Sequence, residues 1–159
     1  MRAVNLFAVA ASVAILTAHT AAAQLAEKKV LTLQAARKIV AAAEEEARRK
    51  KLRGVIAIVD DGGWLIILER MDNASYLASV EIAPGKARAA ALFKKPTAAL
   101  EETINHGRFA AVTAPGFVQM KGGLPIIVDG EVIGAIGASF DTPEHDVEIA
   151  QAGLSALSP

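Results

Sequence analysis

No cysteine occurs among the 159 residues. Disulfides are thereby excluded as a source of stability, and so are thiolate metal centres. Aromatic residues are scarce at 4%, so the core must be built from aliphatic and alanine side chains. Neither sign of charge is in excess, with 17 Lys and Arg against 17 Asp and Glu. That balance argues against nucleic acid as a partner, because its binding needs a basic surface. Histidine is limited to three positions. The chain shows no Ser/His/Asp arrangement, no phosphate-cradling glycine loop and no metal-ligand spacing.

An apolar run long enough to span a bilayer is also missing; about 20 residues would be needed. The N-terminus instead has the three parts of a secretory signal. Met1-Arg2 is a short positive start, Ala3–Ala18 is mostly apolar and uncharged, and Ala21-Ala22-Ala23 precedes Gln24 as a small-residue cleavage site. An uncleaved anchor is the competing reading. The expectation is a signal peptide over residues 1–23, then a single domain over 24–159. The protein would be periplasmic or secreted, with no stable membrane insertion after cleavage. Only Arg2 of the charged residues precedes Gln24, so the mature domain carries a net charge of −1. His19 leaves with the leader, and His106 and His145 are the imidazoles that stay.

What is present in quantity is apolar side chain, 53% of the residues. Alanine dominates the helices. Small side chains permit close helix packing and leave apolar faces for a partner subunit. Thr32 can cap a first helix, in which Leu33, Ala36, Ile39, Val40, Ala43 and Ala47 recur at helical spacing. Glu44-Glu45-Glu46 precede Arg48-Arg49-Lys50-Lys51, which suits i,i+4 pairs, and Gly54 supplies a stop. The carboxylate cluster reads as a solvated helix face rather than a metal site.

Val55–Val59 and Trp64–Leu68 read as strands around the turn Asp60-Asp61-Gly62-Gly63. Asn73–Val80 has no firm period and reads as a loop or a frayed helix entry. A second helix starts near Pro84, with Ala87, Ala90 and Ala91 as its packing face and Lys86 and Arg88 on its other sides. Lys94-Lys95-Pro96 closes it. Thr97 caps a shorter helix, Ala98–Asn105, which His106-Gly107 ends. Arg108–Met120 is irregular, with a short strand expected over Phe117–Met120. Leu124–Val128 and Val132–Ala138 form a hairpin around Asp129-Gly130, a preferred pair for a type I′ turn. Thr142-Pro143-Glu144 opens the last helix.

Three stretches resemble a known family: GKARAAALFKKPT at Gly85–Thr97, NHGRFAAVTAP at Asn105–Pro115, and GGLPIIVDGEVIGAIGAS at Gly122–Ser139. They are similar to the GlcG/HbpS haem-degrading-domain family, which includes the C-terminal domain of PduO-type corrinoid adenosyltransferases. The resemblance runs from Leu31 to Leu157. It implies an α/β profilin-like sandwich, with a central antiparallel sheet of about five strands flanked by helices. It also implies homo-oligomers that bind tetrapyrroles, some of them degrading haem slowly with peroxide. Two positions depart from the family pattern. Ser139-Phe140 stands where Ser-Gly is usual, and His145-Asp146 where Gln-Asp is common.

A haem site needs an apolar slot, one or two axial donors and cations for the propionates. By residue type His106 is the leading axial donor, although a histidine at a helix end also complements the helix dipole. His145 lies in the first turn of the last helix and reads as a neutral, exposed side chain or a ligand particular to this chain. Lys86 and Arg88 are candidates for the propionates or a small carboxylate, or are solvated. Thr113 is a weak oxygen donor or a turn hydroxyl. Gly122 and Gly123 offer close backbone approach to a ligand, or merely let the chain enter its strand. Asp60-Asp61 is better explained by its turn.

Three functions follow as expectations. The first is an exported, oligomeric haem-binding protein with weak peroxide-dependent haem degradation. The second is an enzyme or accessory factor acting on a small organic acid, in the manner of glycolate utilisation. The third is a ligand-free oligomeric module.

Overall fold

The computed structural model describes residues 27–157. The expected leader lies outside these residues. The elements run α1 (Leu33–Arg49), β1 (Val55–Asp60), β2 (Leu65–Arg70), α2 (Ser79–Phe93), α3 (Thr97–Asn105), a 3-10 turn (Phe109–Thr113), β3 (Gly123–Val128), β4 (Glu131–Ser139) and α4 (Pro143–Ser155).

The four strands form one sheet in the order β2-β1-β4-β3, with every neighbouring pair antiparallel. This is the expected α/β sandwich, with four strands among the described residues. Alternation along β1 sends its side chains to opposite faces. Ile56 and Ile58 join Ile39, Val40 and Ile149 in the core beneath α1 and α4. Val55, Ala57 and Val59 face α2 and its alanines.

Local chemistry accounts for most boundaries. The Thr32 hydroxyl accepts the Ala35 N–H at 3.2 Å, and Ala36, Ile39, Val40, Ala43 and Ala47 of α1 are buried as one stripe. Asp129 (φ 49°) and Gly130 (φ 80°) both take the left-handed conformation that the β3–β4 turn requires. Thr142 caps α4 by accepting the His145 N–H, with Pro143 in the first turn.

Several expectations are corrected. Helix α1 ends at Arg49, with Lys50 as its C-cap and left-handed Lys51 after it, not at Gly54. Gly54 is instead pressed against the Phe140 ring, where a side chain would sit 2.5 Å from ring carbons. Helix α2 starts at Ser79 and carries Pro84 in its interior. Thr97 is not the cap of α3, because Pro96 holds that position. The Thr97 hydroxyl is buried and bridges to β3, accepting the Gly123 N–H at 2.8 Å. Phe117–Met120 forms no strand, although the Val118 N–H donates to the Gly85 carbonyl at 3.2 Å.

The packing of α2 on the sheet is unusually close. A methyl group on Gly137 of β4 would overlap the Ala83 carbonyl and lie 2.7 Å from the Ala87 nitrogen. Glycine there lets the α2 backbone rest directly on the strand. That contact fixes which residues of α2 are buried and which face the groove described below.

Candidate functional site

Lys86 does not project from an open side of α2, as its sequence neighbours had implied. It is 2% exposed. Its Nζ donates to Asp146 Oδ2 at 2.6 Å and to the Ala138 carbonyl at 3.2 Å. Asp146 Oδ1 accepts the Phe140 N–H at 2.5 Å. Burial pushes the Asp146 carboxyl up from its ordinary range, opposed by the Lys86 ammonium and the Phe140 N–H. The pair ties α2, the end of β4 and α4 together. A signal for it exists in the sequence: Ala83, Lys86, Ala87 and Ala90 fall at i, i+3, i+4 and i+7, one helix face. Asp146, Ile149, Ala150 and Gly153 repeat that spacing on α4.

Gly122 and Gly123 lie beside this pair. A side chain on Gly123 would meet the Lys86 carbonyl and come within 2.7 Å of Thr97, and one on Gly122 would reach Asp146 at 2.6 Å. Both glycines are buried among protein atoms. The close approach they permit is to α2 and α4, so the structure gives them a packing role.

Arg88, two residues beyond Lys86, emerges on a different side of α2. Its guanidinium lies over the Trp64 ring at 5.3 Å and the Phe117 ring at 5.6 Å, within cation–π range of both. Phe117 is braced edge-on by Phe93 at 5.1 Å. The hydrogen bond Arg88 makes among the described residues is to the Gly63 carbonyl, at 3.3 Å. A guanidinium has five N–H donors, so most of its capacity is open. It borders a groove of about 380 Å³ whose walls include Leu65, Val80, Glu81, Pro84 and Gly116. Planar, held against two rings and without a carboxylate partner among the described residues, Arg88 is suited to bidentate binding of a carboxylate or similar anion. Neither Trp64 nor Phe117 stood out in the sequence, because their partner is set by the fold.

His106 is the C-cap of α3 and is exposed. Its Nδ1 lies 2.8 Å from the Glu102 carbonyl, which can only accept, so Nδ1 carries the proton and Nε2 is the nitrogen left for a ligand. The Thr113 hydroxyl donates to the Ala110 carbonyl at 2.7 Å, a turn contact. The turn ending at Thr113 leads into Gly116 and Phe117, which do lie beside Arg88. His145 is placed elsewhere, on α4, with Nδ1 2.8 Å from Asp141 Oδ1. Among the described residues no group of three or more His, Asp or Glu could hold a metal ion.

Other hollows are larger but chemically less directed. One of about 450 Å³ between α1 and β2 contains Glu44 and Glu69. There burial, followed by the Glu44 charge, raises the Glu69 carboxyl above its ordinary value. Among the described residues no helix is long and apolar enough to cross a membrane.

The sequence model of the family described as haem degrading protein HbpS-like matches residues 31–155. Protein GlcG of Escherichia coli K12 is 49% identical over 84 residues, which cover 53% of this chain and 62% of GlcG. The chain therefore matches less than two thirds of that relative's length. A double mutant of HbpS from Streptomyces reticuli superposes with a TM-score of 0.80 at 28% identity, covering 95% of this chain and 99% of that one. The haem complex of PduOC superposes with a TM-score of 0.75 at 30% identity, covering 81% of this chain and 96% of that one.

Proposed function

The chain belongs to the HbpS-like family, and from that membership we propose that it binds a haem-type tetrapyrrole, gripped at its carboxylate edge by Arg88. The observation that carries this reading is the guanidinium held between Trp64 and Phe117 with most of its donors open, beside an apolar-walled groove. The residues fit such a group. The aliphatic walls suit a flat apolar ring, and Arg88, flanked by Trp64 and Phe117, suits a propionate. Lys86 is replaced in that role by Arg88, since its charge is already committed to Asp146.

His106 Nε2 and, more weakly, Thr113 are proposed as axial donors by residue type; neither is among the residues lining the groove. Bound haem would supply iron-centred redox chemistry, and weak peroxide-dependent haem degradation belongs to the same proposal. The chain's own part is to bind, orient and partly shield the ring. Export and a periplasmic or secreted address are proposed on the leader pattern. Homo-oligomers are proposed on the exposed apolar side chains, among them Leu77, Phe109 and Val112.

Hemin titration of the purified protein tests the reading. The expected result is a saturable Soret band at defined stoichiometry, with quenching of the single tryptophan, Trp64. Arg88→Ala should weaken binding by about ten- to a hundredfold, the worth of a hydrogen bond to a charged group. A titration indistinguishable from that of an unrelated protein would remove it. A rise in melting temperature with small organic acids, and not with hemin, would favour the small-acid reading instead.

A further inference from the structure

Glu81 stands in the same groove as Arg88 and on the same helix. They are seven residues apart, two helical turns, which brings them to one side of α2 at a rise of roughly 10.5 Å. Between them on that side of the helix the groove is walled by Pro84 and Gly85, neither of which carries charge. The groove is thus polarised along its length. A cation marks one end, a carboxylate the other, and the separation is comparable with the breadth of a porphyrin ring.

Resting on the tetrapyrrole reading, we propose that Glu81 is a specificity determinant that admits tetrapyrroles whose carboxylates are confined to one edge. A ring with its propionates at Arg88 presents a neutral edge to Glu81. A ring carrying carboxylates all round must bring one of them towards Glu81 whichever way it is turned. Like charges placed together across an interface are a recognised means of rejecting the wrong partner. Glu81 also sits in the first turn of α2, where an acid favours the helix dipole. That role would stabilise the helix without choosing between ligands.

The test compares two metal-free porphyrins by Trp64 quenching: mesoporphyrin IX, with two carboxylates on one edge, and coproporphyrin III, with four around the ring. Wild-type protein should prefer mesoporphyrin. Glu81→Gln should improve coproporphyrin binding about fivefold while leaving mesoporphyrin nearly unchanged, as expected for one close like-charge contact in a wet groove. The wild-type preference should also shrink at high salt. Equal binding of both porphyrins by wild type, or a preference that Glu81→Gln leaves intact, would overturn the assignment. Glu81→Gln lowering only the melting temperature, with the selectivity unmoved, would reduce Glu81 to its helix-end role. Failure of wild type to bind either porphyrin while it binds hemin would overturn this inference alone, and failure to bind hemin as well would remove the tetrapyrrole reading with it.

Discussion

Lys86 Nζ and Asp146 Oδ2 lie 2.6 Å apart although 60 positions separate them in the chain. Both side chains are nearly inaccessible, and the remaining oxygen of Asp146 is held by the Phe140 N–H. A buried ion pair of this kind gains little over a well-packed apolar pair, but removing one partner strands a charge. Lys86→Ala should therefore destabilise the protein by about 3–5 kcal/mol. The double replacement Lys86→Met with Asp146→Leu should cost less than that single change. Urea denaturation of the three proteins checks the order. A double variant less stable than Lys86→Ala would show that the pair contributes more than its own compensation.

Space and backbone conformation can be separated at two glycines of one hairpin. Gly137→Ala forces a methyl into the Ala83 carbonyl, so α2 must lift from β4. Gly130→Ala meets nothing within 4 Å but retains a positive φ of 80°. The first should cost at least 1–3 kcal/mol, as overpacking does, and the second on the order of 1 kcal/mol. Thermal melts rank them, and a milder effect at Gly137 would mean that α2 is not seated as closely as described.

The Asp141–His145 contact gives a pH dependence with a definite sign. Partial burial pushes the Asp141 carboxyl up, but hydrogen bonds from His145 and from backbone N–H groups outweigh it and hold the carboxyl below its usual range. A depressed folded value contributes stability that is present above the unfolded value, about 3.9, and lost as the pH falls through the folded one. His145→Ala should raise the Asp141 midpoint, read by carboxyl NMR. The acid side of the stability profile should then contract towards higher pH. An unchanged midpoint would show that the backbone N–H groups alone set it.

Arg88 can be probed for geometry as well as charge. Arg88→Lys keeps the charge but loses the planar fork that lies near both the Trp64 and Phe117 rings. It should recover only part of the hemin affinity lost in Arg88→Ala. Full recovery by lysine would mean that the contacts of the guanidinium with the two rings play no part in binding.

Much of the fold was legible residue by residue. The Thr32 and Thr142 caps, the Asp129-Gly130 turn and the apolar stripe of α1 each depend on neighbours a few positions away. Their energetics are complete within one element. The start of α2 was misread because Pro84 suits a first helical turn, yet the helix extends five residues before it. The site was legible only in part. Arg88 was among the candidates, but so was Lys86; the Ala83, Ala87 and Ala90 face sets Lys86 apart from Arg88, yet nothing local shows that Asp146 would arrive to accept a buried lysine. Trp64 and Phe117 come from a strand edge and an irregular loop, and only their convergence on Arg88 gives them a role.

By itself the sequence determined the order of helices and strands, the absence of thiol chemistry and the near-zero charge, because these rest on composition and local backbone preference. Tertiary structure alone decided that Lys86 would be sealed beside Asp146 while Arg88, two residues on, faces a groove. The reason is that burying a charge is tolerable only where an opposite charge arrives from elsewhere in the chain. The seating of α2 on Gly137 sets which cation meets that partner and which is left facing the groove.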